Sequence, residues 1–170
     1  MAISPYLNGI RSKVGTALLL MPSVTGIVWD AMGRLLVVRH RVGGPWSLPG
    51  GIVDPGEVPA QALVREVWEE SGVIAWPKRI IGVFGGPEGF RRKYPNGDEV
   101  EFVDTVFECN AVAGRLGGRD GETIEVCYMT RAELAEIALA YPVPLNVLLA
   151  SLVQPIFKWD PVWAERLPLD

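Results

Sequence analysis

The stretch from residue 51 to residue 73 constrains the fold more than any other part of this 170-residue chain. From residue 59 onward, apolar side chains recur at helical spacing on one face, and Gly72 stands where a helix would end. Glu66, Glu69 and Glu70 share another side of the same helix, at spacings that destabilise an isolated helix by roughly a few tenths of a kcal/mol per pair. The pattern predicts a helix that packs on a sheet and turns its carboxylates toward a loop-built cleft. The apolar positions are Ala60, Leu63, Val64 and Val67.

The charge of the chain is concentrated in the same stretch. The chain has 20 acidic and 16 basic residues, a formal net charge of −4. Residues 51–73 hold five of the acids and one base, so the rest of the chain is balanced. This distribution disfavours nucleic acid as a partner, because nucleic-acid binders held by phosphate contacts are basic. It favours a site for a hard divalent cation, which takes oxygen ligands.

Apolar runs on both sides of the central helix predict strands. A sheet with one long central helix and further helices near the end is typical of an α/β (α+β) fold built around a mixed sheet. The segments 23–29 and 34–41 are expected to pair as a hairpin. The predicted strands cover residues 17–21, 23–29, 34–41, 78–84, 100–109 and 122–128. The predicted helices cover residues 5–13, 59–71, a short segment after the Thr130 capping box, and 145–153.

The N-terminal part of the chain predicts neither export nor membrane insertion. Basic residues precede an apolar run over 14–29, but Pro22 interrupts the run, which is also shorter than a membrane span. We interpret the run as two adjacent buried strands. Cys109 and Cys127 are too few for a disulfide framework and are expected to be free thiols. We expect a cytoplasmic protein with no membrane contact.

The fixed positions of residues 51–73 resemble a family motif. They run as a glycine, five residues, a glutamate, seven residues, and then Arg-Glu-Val-x-Glu-Glu-x-Gly-Val. This resembles the Nudix box, G-x5-E-x7-R-E-U-x-E-E-x-G-U with U aliphatic, with no departure at any defined position. The approach Trp-x-Leu-Pro-Gly-Gly over 46–51 also resembles the usual entry to that box. The resemblance implies a Nudix-type α/β/α sandwich with a mixed β-sheet, in which the box forms loop–helix–loop. It also implies a hydrolase of nucleoside diphosphates linked to another group.

The resemblance implies roles for the residues of the box and a Mg²⁺ or Mn²⁺ cofactor. Arg65 would orient a carboxylate, Glu66 first of all, and Glu57 would support the loop or the metal through water. Glu66 would also be the base that takes a proton from the attacking water. A glutamate on a later loop is the other choice of base, and here Glu122 and Glu125 are the candidates. The implied metal ligands are Gly51, Glu66, Glu69 and Glu70.

Candidate substrate contacts lie outside the box. Arg39 and Arg41 alternate on the strand before it and would meet phosphates, unless they only form a solvated strand face. Trp46 would stack on a base or anchor its loop. Arg91 belongs to a run of basic and aromatic residues beside an Asn-Gly turn, which would contact a nucleotide or remain a solvated loop. Asp104 is open to both readings in the same way.

Some chemistries are disfavoured, and the substrate is left open. His40 is the only histidine, so histidine catalysis and a zinc site are not expected. Pro87 lies 15 residues after Gly72, near where ADP-ribose pyrophosphatases of the family tend to carry a proline, although a plain turn explains it equally well. A small nucleotide substrate of the ADP-ribose or nucleoside triphosphate kind is therefore expected. The alternatives are an RNA 5′-end pyrophosphohydrolase and a non-catalytic nucleotide sensor, although such sensors typically lose the box glutamates that this chain keeps.

The sequence also predicts a division of the chain. We expect an N-terminal extension over 1–22 made of a short helix and a strand, a Nudix hydrolase domain over 23–153, and a C-terminal tail over 154–170. The extension and the tail offer more apolar surface than a minimal domain needs, and a homodimer is one assembly that would cover it. The apolar tail residues are Trp159, Trp163, Leu167 and Leu169.

Overall fold

The computed structural model describes residues 5–41 and 44–150 and the backbone of residues 156–157. The tail residues named above therefore lie outside the described part of the chain. The strands are β1 (Leu19–Trp29), β2 (Leu35–Arg39), β3 (Gly50–Ile52), β4 (Val73–Phe84), β5 (Arg91–Lys93), β6 (Glu99–Gly114), β7 (Glu125–Met129) and β8 (Ile156–Phe157). The helices are α1 (Pro5–Val14), α2 (Pro59–Ser71), the single turn α3 (Pro87–Phe90), α4 (Arg131–Ala135) and α5 (Leu145–Ala150).

One mixed sheet organises these elements. Its strand order is β7-β2-β1-β6-β4-β8, with β3 paired to β1 and β5 paired to β6. The central strands β1 and β6 run parallel over the whole length of β1, while β4 runs antiparallel to β6. The predicted fold class, a mixed sheet with helices on both sides, is confirmed.

Alternation along the strands divides the core between the two faces of the sheet. On one face, Leu63 and Val67 of α2 pack against Val24 and Val28 of β1. On the opposite face, Ile27 packs in the cluster that α4 and α5 join through Leu134 and Leu148. All seven of these side chains are buried. Full burial of such a side chain contributes about 1.5–3 kcal/mol, which holds α2 in a fixed position on the sheet.

The N-terminal apolar run forms one strand, and the prediction of two strands separated at Pro22 is wrong. The carbonyl oxygen of Pro22 accepts a hydrogen bond from the Val53 N–H at 3.1 Å. Because the nitrogen and carbonyl of a strand residue face the same neighbour, the proline nitrogen also faces away from β6. The proline therefore removes no hydrogen bond to β6, and β1 continues through it.

The predicted hairpin over 23–41 is wrong for most of its length. The turn after β1 forms, because Asp30 N–H donates to the Arg34 carbonyl at 3.0 Å, but only Trp29 and Leu35 then pair. Further along, β3 occupies the edge of β1 opposite residues 23–25, and β2 pairs instead with β7 over its five residues. The loop that precedes α2 is thus inserted into the sheet.

Other elements differ from their predictions at the ends. The strand predicted over 122–128 begins only at Glu125, so Glu122 lies in the preceding loop. The strands β4 and β6 are both longer than predicted, because their outer halves pair with each other. The last predicted helix is seen as α5, and its remaining residues lie outside the described part. Among residues 5–41 and 44–150, no helix has both the length and the apolar character to cross a bilayer.

We expect Gly72→Ala to destabilise the fold. Gly72 ends α2 with φ +72°, and its N–H donates to the Trp68 carbonyl at 2.8 Å. A Cβ at this position would overlap the Arg115 carbonyl oxygen, and L residues rarely adopt this φ. The free energy of unfolding, measured by urea denaturation, should fall by about 1 kcal/mol or more.

The matched control is Gly9→Ala inside α1, where no atom lies within 4 Å of the added Cβ. Because alanine is favoured over glycine in a helix by about 0.8–1 kcal/mol, this variant should be as stable as the parent chain or more stable. Equal stability of the two variants would contradict the role assigned to Gly72.

Candidate active site

Helix α2 carries three carboxylates on the side that faces the loop before it. Its apolar side lies on the sheet, as described above, so the acidic side chains gather beside β3. Glu70 is buried with 7% of its surface exposed, whereas Glu66 and Glu69 are half-buried. The structure thus brings together the three helix carboxylates that the sequence analysis placed on one side of one turn.

Arg65 is the centre of this carboxylate cluster. Its guanidinium donates two hydrogen bonds to Glu57, at 2.7 and 2.8 Å, and one to Oε1 of Glu66 at 2.8 Å. Further bonds reach Oε2 of Glu69 at 3.1 Å and the Ile52 carbonyl at 3.0 Å. The two-bond contact with Glu57 clamps the loop onto the helix, so Arg65 holds the loop as well as orienting Glu66.

The Arg65 contacts also set the protonation of their partners. Hydrogen bonds from the guanidinium are the largest influence on Glu57, and they hold the pKa of that carboxyl below its ordinary value. The same contacts raise the pKa of Arg65, which stays charged. Glu57 also accepts a hydrogen bond from the Asp54 N–H at 3.1 Å. The loop at the start of α2 is therefore fixed by a charged pair.

Two glycines of β3 let the backbone approach the carboxylates. The N–H of Gly50 donates to Oε2 of Glu70 at 2.9 Å. A Cβ on Gly51 would overlap the Glu66 carboxylate, and a Cβ on Gly50 would overlap the Val24 carbonyl. Only glycine therefore fits at either position with the carboxylates where they are.

Burial makes two of these carboxylates reluctant to ionise. Burial raises the pKa of Glu70 to about 8, aided by the charges of Glu66, Asp120 and Glu122 and opposed by the Gly50 N–H. Burial also raises the pKa of Glu66, while the neighbouring Arg65 opposes that rise. A bound cation would favour the charged form of both carboxylates, because opposite charge close by lowers a carboxyl pKa.

A loop after β6 adds groups that the sequence analysis did not predict. The N–H groups of Arg119 and Asp120 donate to the Glu69 carbonyl, at 2.6 and 3.2 Å, so the loop docks on the end of α2. His40 lies on the other side, with Nε2 at 3.4 Å from Oε1 of Glu70. The ligand atoms of His40, Glu70 and Asp120 all lie within 4.8 Å of one another. Their positions in the sequence carry no signal of this contact, because 80 residues separate His40 from Asp120.

The predicted substrate residues Arg39 and Trp46 contact each other. The Arg39 guanidinium lies 4.1 Å from the centre of the Trp46 ring and forms an ion pair with Glu125 at 3.0 Å. Its buried Nε has no hydrogen-bond partner in the structure. The tryptophan ring also packs at the margin of the core cluster on the α4 and α5 face. Trp46 therefore anchors its loop on the core.

The remaining predicted residues lie in different surroundings. Glu122 is half-buried close enough to Glu70 for its charge to raise the Glu70 pKa. Arg41 is exposed. Arg91 points to Glu101 with a shortest contact of 2.6 Å, whereas its neighbour Arg92 lines a cleft that includes Gly51. The alternation of side chains along β5 sends these two arginines to opposite faces.

The match to a family model extends well beyond the box. The model described as NUDIX domain matches residues 19–148, which include every strand from β1 to β7 and the whole carboxylate cluster. The chain belongs to the Nudix family. Enzymes of this family are hydrolases that act on small nucleotide-like substrates and generally use divalent metal ions. The resemblance seen in the sequence is confirmed.

Individual Nudix proteins resemble the chain at moderate identity. A MutT-like protein of Streptomyces ambofaciens is 32% identical over 114 residues, 67% of this chain and 66% of that protein. An ADP-ribose pyrophosphatase of Methanocaldococcus jannaschii is 32% identical over 101 residues, 58% of this chain and 55% of that protein. These matches span between about half and two thirds of the relatives' own length. The crystal structure of a UDP-X diphosphatase has a TM-score of 0.61 at 17% identity, covering 86% of this chain and 69% of that one, and it supports the fold.

The donor set of this Nudix site fits a hard divalent cation. The side chains that α2 turns toward β3 offer carboxylate oxygens, and the Gly51 backbone lies against the Glu66 carboxylate. The buried Glu70 carboxylate, whose pKa is raised without a cation, points to the same fit. His40 and Asp120 extend the donors on the far side of Glu70.

We expect the metal-free chain to lose stability as the pH rises from about 5 to about 8. The pKa of Glu70 is 4.5 ordinarily and about 8 in the folded chain, so in this range the folded state holds a proton that the unfolded state has lost. The free energy of unfolding should fall by up to about 1.4 kcal/mol per pH unit. The raised pKa of Glu66 also lowers the free energy of unfolding as the pH rises. The lowered pKa of Glu57 affects stability only at more acidic pH.

Urea denaturation in EDTA across this range measures the slope, with Glu70→Gln as the comparison. The variant cannot lose that proton, so its stability should depend less on pH than that of the parent. Identical slopes in the two proteins would contradict the assignment of the raised pKa to Glu70.

Proposed function

We propose that this chain hydrolyses a pyrophosphate bond in a nucleoside diphosphate linked to another moiety, with Mg²⁺ or Mn²⁺ as cofactor. The observation that carries the proposal is the cluster of Glu57, Glu66, Glu69 and Glu70, of which Arg65 bonds only the first three. A site of this charge favours cations, and cations are what a pyrophosphate substrate requires for its own charge to enter. The buried Glu70 carboxylate supports the same reading.

The carboxylates divide the work of the proposed reaction. Glu66, Glu69, Glu70 and the Gly51 carbonyl would hold the metal, which supplies charge neutralisation at the phosphoryl oxygens and a bound water of lowered pKa. Glu66 is the first candidate for the base that accepts the proton of the attacking water. Its Oε1 is held by Arg65, which would fix the direction of that carboxylate. Glu122 is the alternative base on a later loop.

The substrate we favour is ADP-ribose or a nucleoside triphosphate. Similarity to an ADP-ribose pyrophosphatase supports the first, over about half of that protein's length. Arg39, Arg41 and Trp46 would contact the substrate on the β2 side of the cluster, beside His40. Arg91 is the weakest of the predicted contacts, because Glu101 already neutralises its guanidinium.

We expect Glu66→Gln and Glu70→Gln each to lower kcat by about 10²-fold or more in assays with Mg²⁺. Each change removes a negative charge from the proposed metal ligands, and the first also removes the proposed base. Release of phosphate or nucleoside monophosphate from the best substrate measures the rate. The control is Glu136→Gln, an exposed glutamate at the end of α4, which should keep parental activity. Near-normal turnover in both α2 variants would refute the proposed site.

A substrate panel separates the proposed function from its alternatives. The panel should hold ADP-ribose, canonical and oxidised nucleoside triphosphates, dinucleoside polyphosphates, nucleotide sugars and an end-labelled 5′-triphosphate RNA, each with Mg²⁺ and Mn²⁺. Faster hydrolysis of the RNA would favour the 5′-end pyrophosphohydrolase. Tight nucleotide binding without any metal-dependent hydrolysis would favour a sensor.

Three further proposals rest on the sequence. They are the division at residues 22 and 153, a cytoplasmic location and a homodimer. Light scattering at two concentrations tests the homodimer.

A further inference from the structure

A second cleft opens beside the carboxylate cluster and shares Gly50 and Gly51 with it. It has a volume of about 170 Å³ and lies between β1, β3 and the segment around Tyr141. Phe90 and Phe102 contribute aromatic side chains to its wall. Among the described residues that line it, Arg92 is the one positively charged side chain, and it is exposed.

The floor of the cleft is a buried polar network around Asp104. This aspartate is 3% exposed and faces Ser23 across the parallel pair of β1 and β6. The Ser23 hydroxyl donates to Oδ1 of Asp104 at 2.8 Å, and the Tyr141 hydroxyl donates to Oδ2 at 2.5 Å. The Thr25 side chain lies close enough to the Tyr141 hydroxyl to oppose the rise of its pKa.

Two hydroxyl hydrogens of this network are already used in bonds to Asp104, which determines what the network offers to a ligand. A hydroxyl has one hydrogen to donate, and those of Ser23 and Tyr141 are both used on Asp104. Burial and the neighbouring Asp104 charge raise the pKa of Tyr141, so its hydroxyl keeps the proton that it donates. Each carboxylate oxygen of Asp104 receives one hydrogen bond and keeps acceptor capacity. The Asp104 carboxylate therefore presents acceptors, and the two hydroxyls bonded to it have no hydrogen left to donate to a ligand.

We propose that this cleft holds the nucleoside end of the substrate, through an edge of the ligand that donates two adjacent hydrogen bonds to Asp104. Guanine-type bases carry such an edge in a ring N–H beside an exocyclic amine, and a ribose carries one in its vicinal hydroxyls. Ser23 and Tyr141 act as positioning residues for the carboxylate, and Arg92 at the rim meets a phosphate. The inference deepens the proposed function and rests on it for the identity of the ligand.

The location of the cleft supports placing the nucleoside end here and the pyrophosphate at the carboxylate cluster. Gly50 and Gly51, which carry no side chains, line the cleft and also contact the carboxylate cluster, so a ligand in the cleft passes close to that cluster. The cluster would hold the metal and the pyrophosphate, while the acceptor floor would hold a group without negative charge. An acidic floor repels phosphate, which leaves the uncharged base or sugar as the end that enters.

The test is calorimetric binding of GMP, IMP and 2′-deoxy-GMP to the full chain in EDTA. IMP lacks the exocyclic amine and 2′-deoxy-GMP lacks one vicinal hydroxyl, so the pair distinguishes the two sources of the donor edge. We expect GMP to bind about tenfold or more tighter than one of the two, because a hydrogen bond to a charged acceptor is lost. Asp104→Asn should abolish that ratio, since the amide nitrogen replaces an acceptor with a donor.

The matched control is Glu108→Gln, which lies on the same strand and pairs with Arg79 outside the cleft. It should keep the GMP preference of the parent. Ser23→Ala serves if Asp104→Asn does not fold, and it should reduce the ratio severalfold by loosening the carboxylate. A structural role for Asp104 would weaken all three ligands equally and leave the ratio unchanged.

Equal binding of the three nucleotides, no binding of GMP at millimolar concentration, or an unchanged ratio in Asp104→Asn would each overturn the inference. Because these measurements use no metal, they do not depend on hydrolysis. A chain that prefers GMP but hydrolyses nothing would refute the proposed function and support nucleoside binding in the cleft. A chain that hydrolyses nucleotides but binds the three ligands equally would support the proposed function and refute nucleoside binding at Asp104.

Discussion

The site depends on the balance of like charges around one guanidinium. Glu57, Glu66 and Glu69 each accept hydrogen bonds from Arg65, which also holds the Ile52 carbonyl. Without that cation the three carboxylates would repel one another across the loop and the last two turns of α2. Glu70 receives no bond from Arg65 in this network, and burial, aided by the charges of neighbouring carboxylates, raises its pKa. The arginine therefore holds the site together but leaves it short of positive charge.

The glycines complete this arrangement because they have no side chain, which lets the backbone approach closely. Gly51 lies so close to the Glu66 carboxylate that no Cβ would fit, and Gly50 fits against the backbone of β1 while its N–H donates to Glu70. Gly72 ends α2 with a positive φ and accepts the Arg115 N–H at 3.2 Å, so the loop after β6 docks beside Glu69. Both contacts are made by backbone, which is positioned by the sheet and not by side-chain rotamers. The carboxylates are thus held between two pieces of rigid main chain.

Local patterns explain which parts of this structure could be predicted. The helix over 59–71, its glycine end and its acidic side follow from spacing within one segment, and the structure has all three. The hairpin predicted over 23–41 is wrong because β3, which begins 21 residues after the end of β1, takes the edge of β1. His40 and Asp120 were missed for the same kind of reason, since contacts between distant segments leave no trace in local periodicity. The acceptor floor around Asp104 is built from β1, β6 and the segment around Tyr141, so no single segment of the sequence predicts it.

The net charge of the chain links the two clefts. The −4 that residues 51–73 account for is placed by the fold on one side of β3, and the buried Asp104 adds an acidic group on the other side. Arg65 is already bonded to three carboxylates and Arg92 stands at the rim of the cleft, so these two arginines leave most of the charge of a pyrophosphate uncompensated. The chain therefore leaves the charge of a pyrophosphate to be neutralised by bound metal. The uncharged end of the same molecule carries hydrogen-bond donors that match the acceptor floor, so one ligand would satisfy both sides of β3.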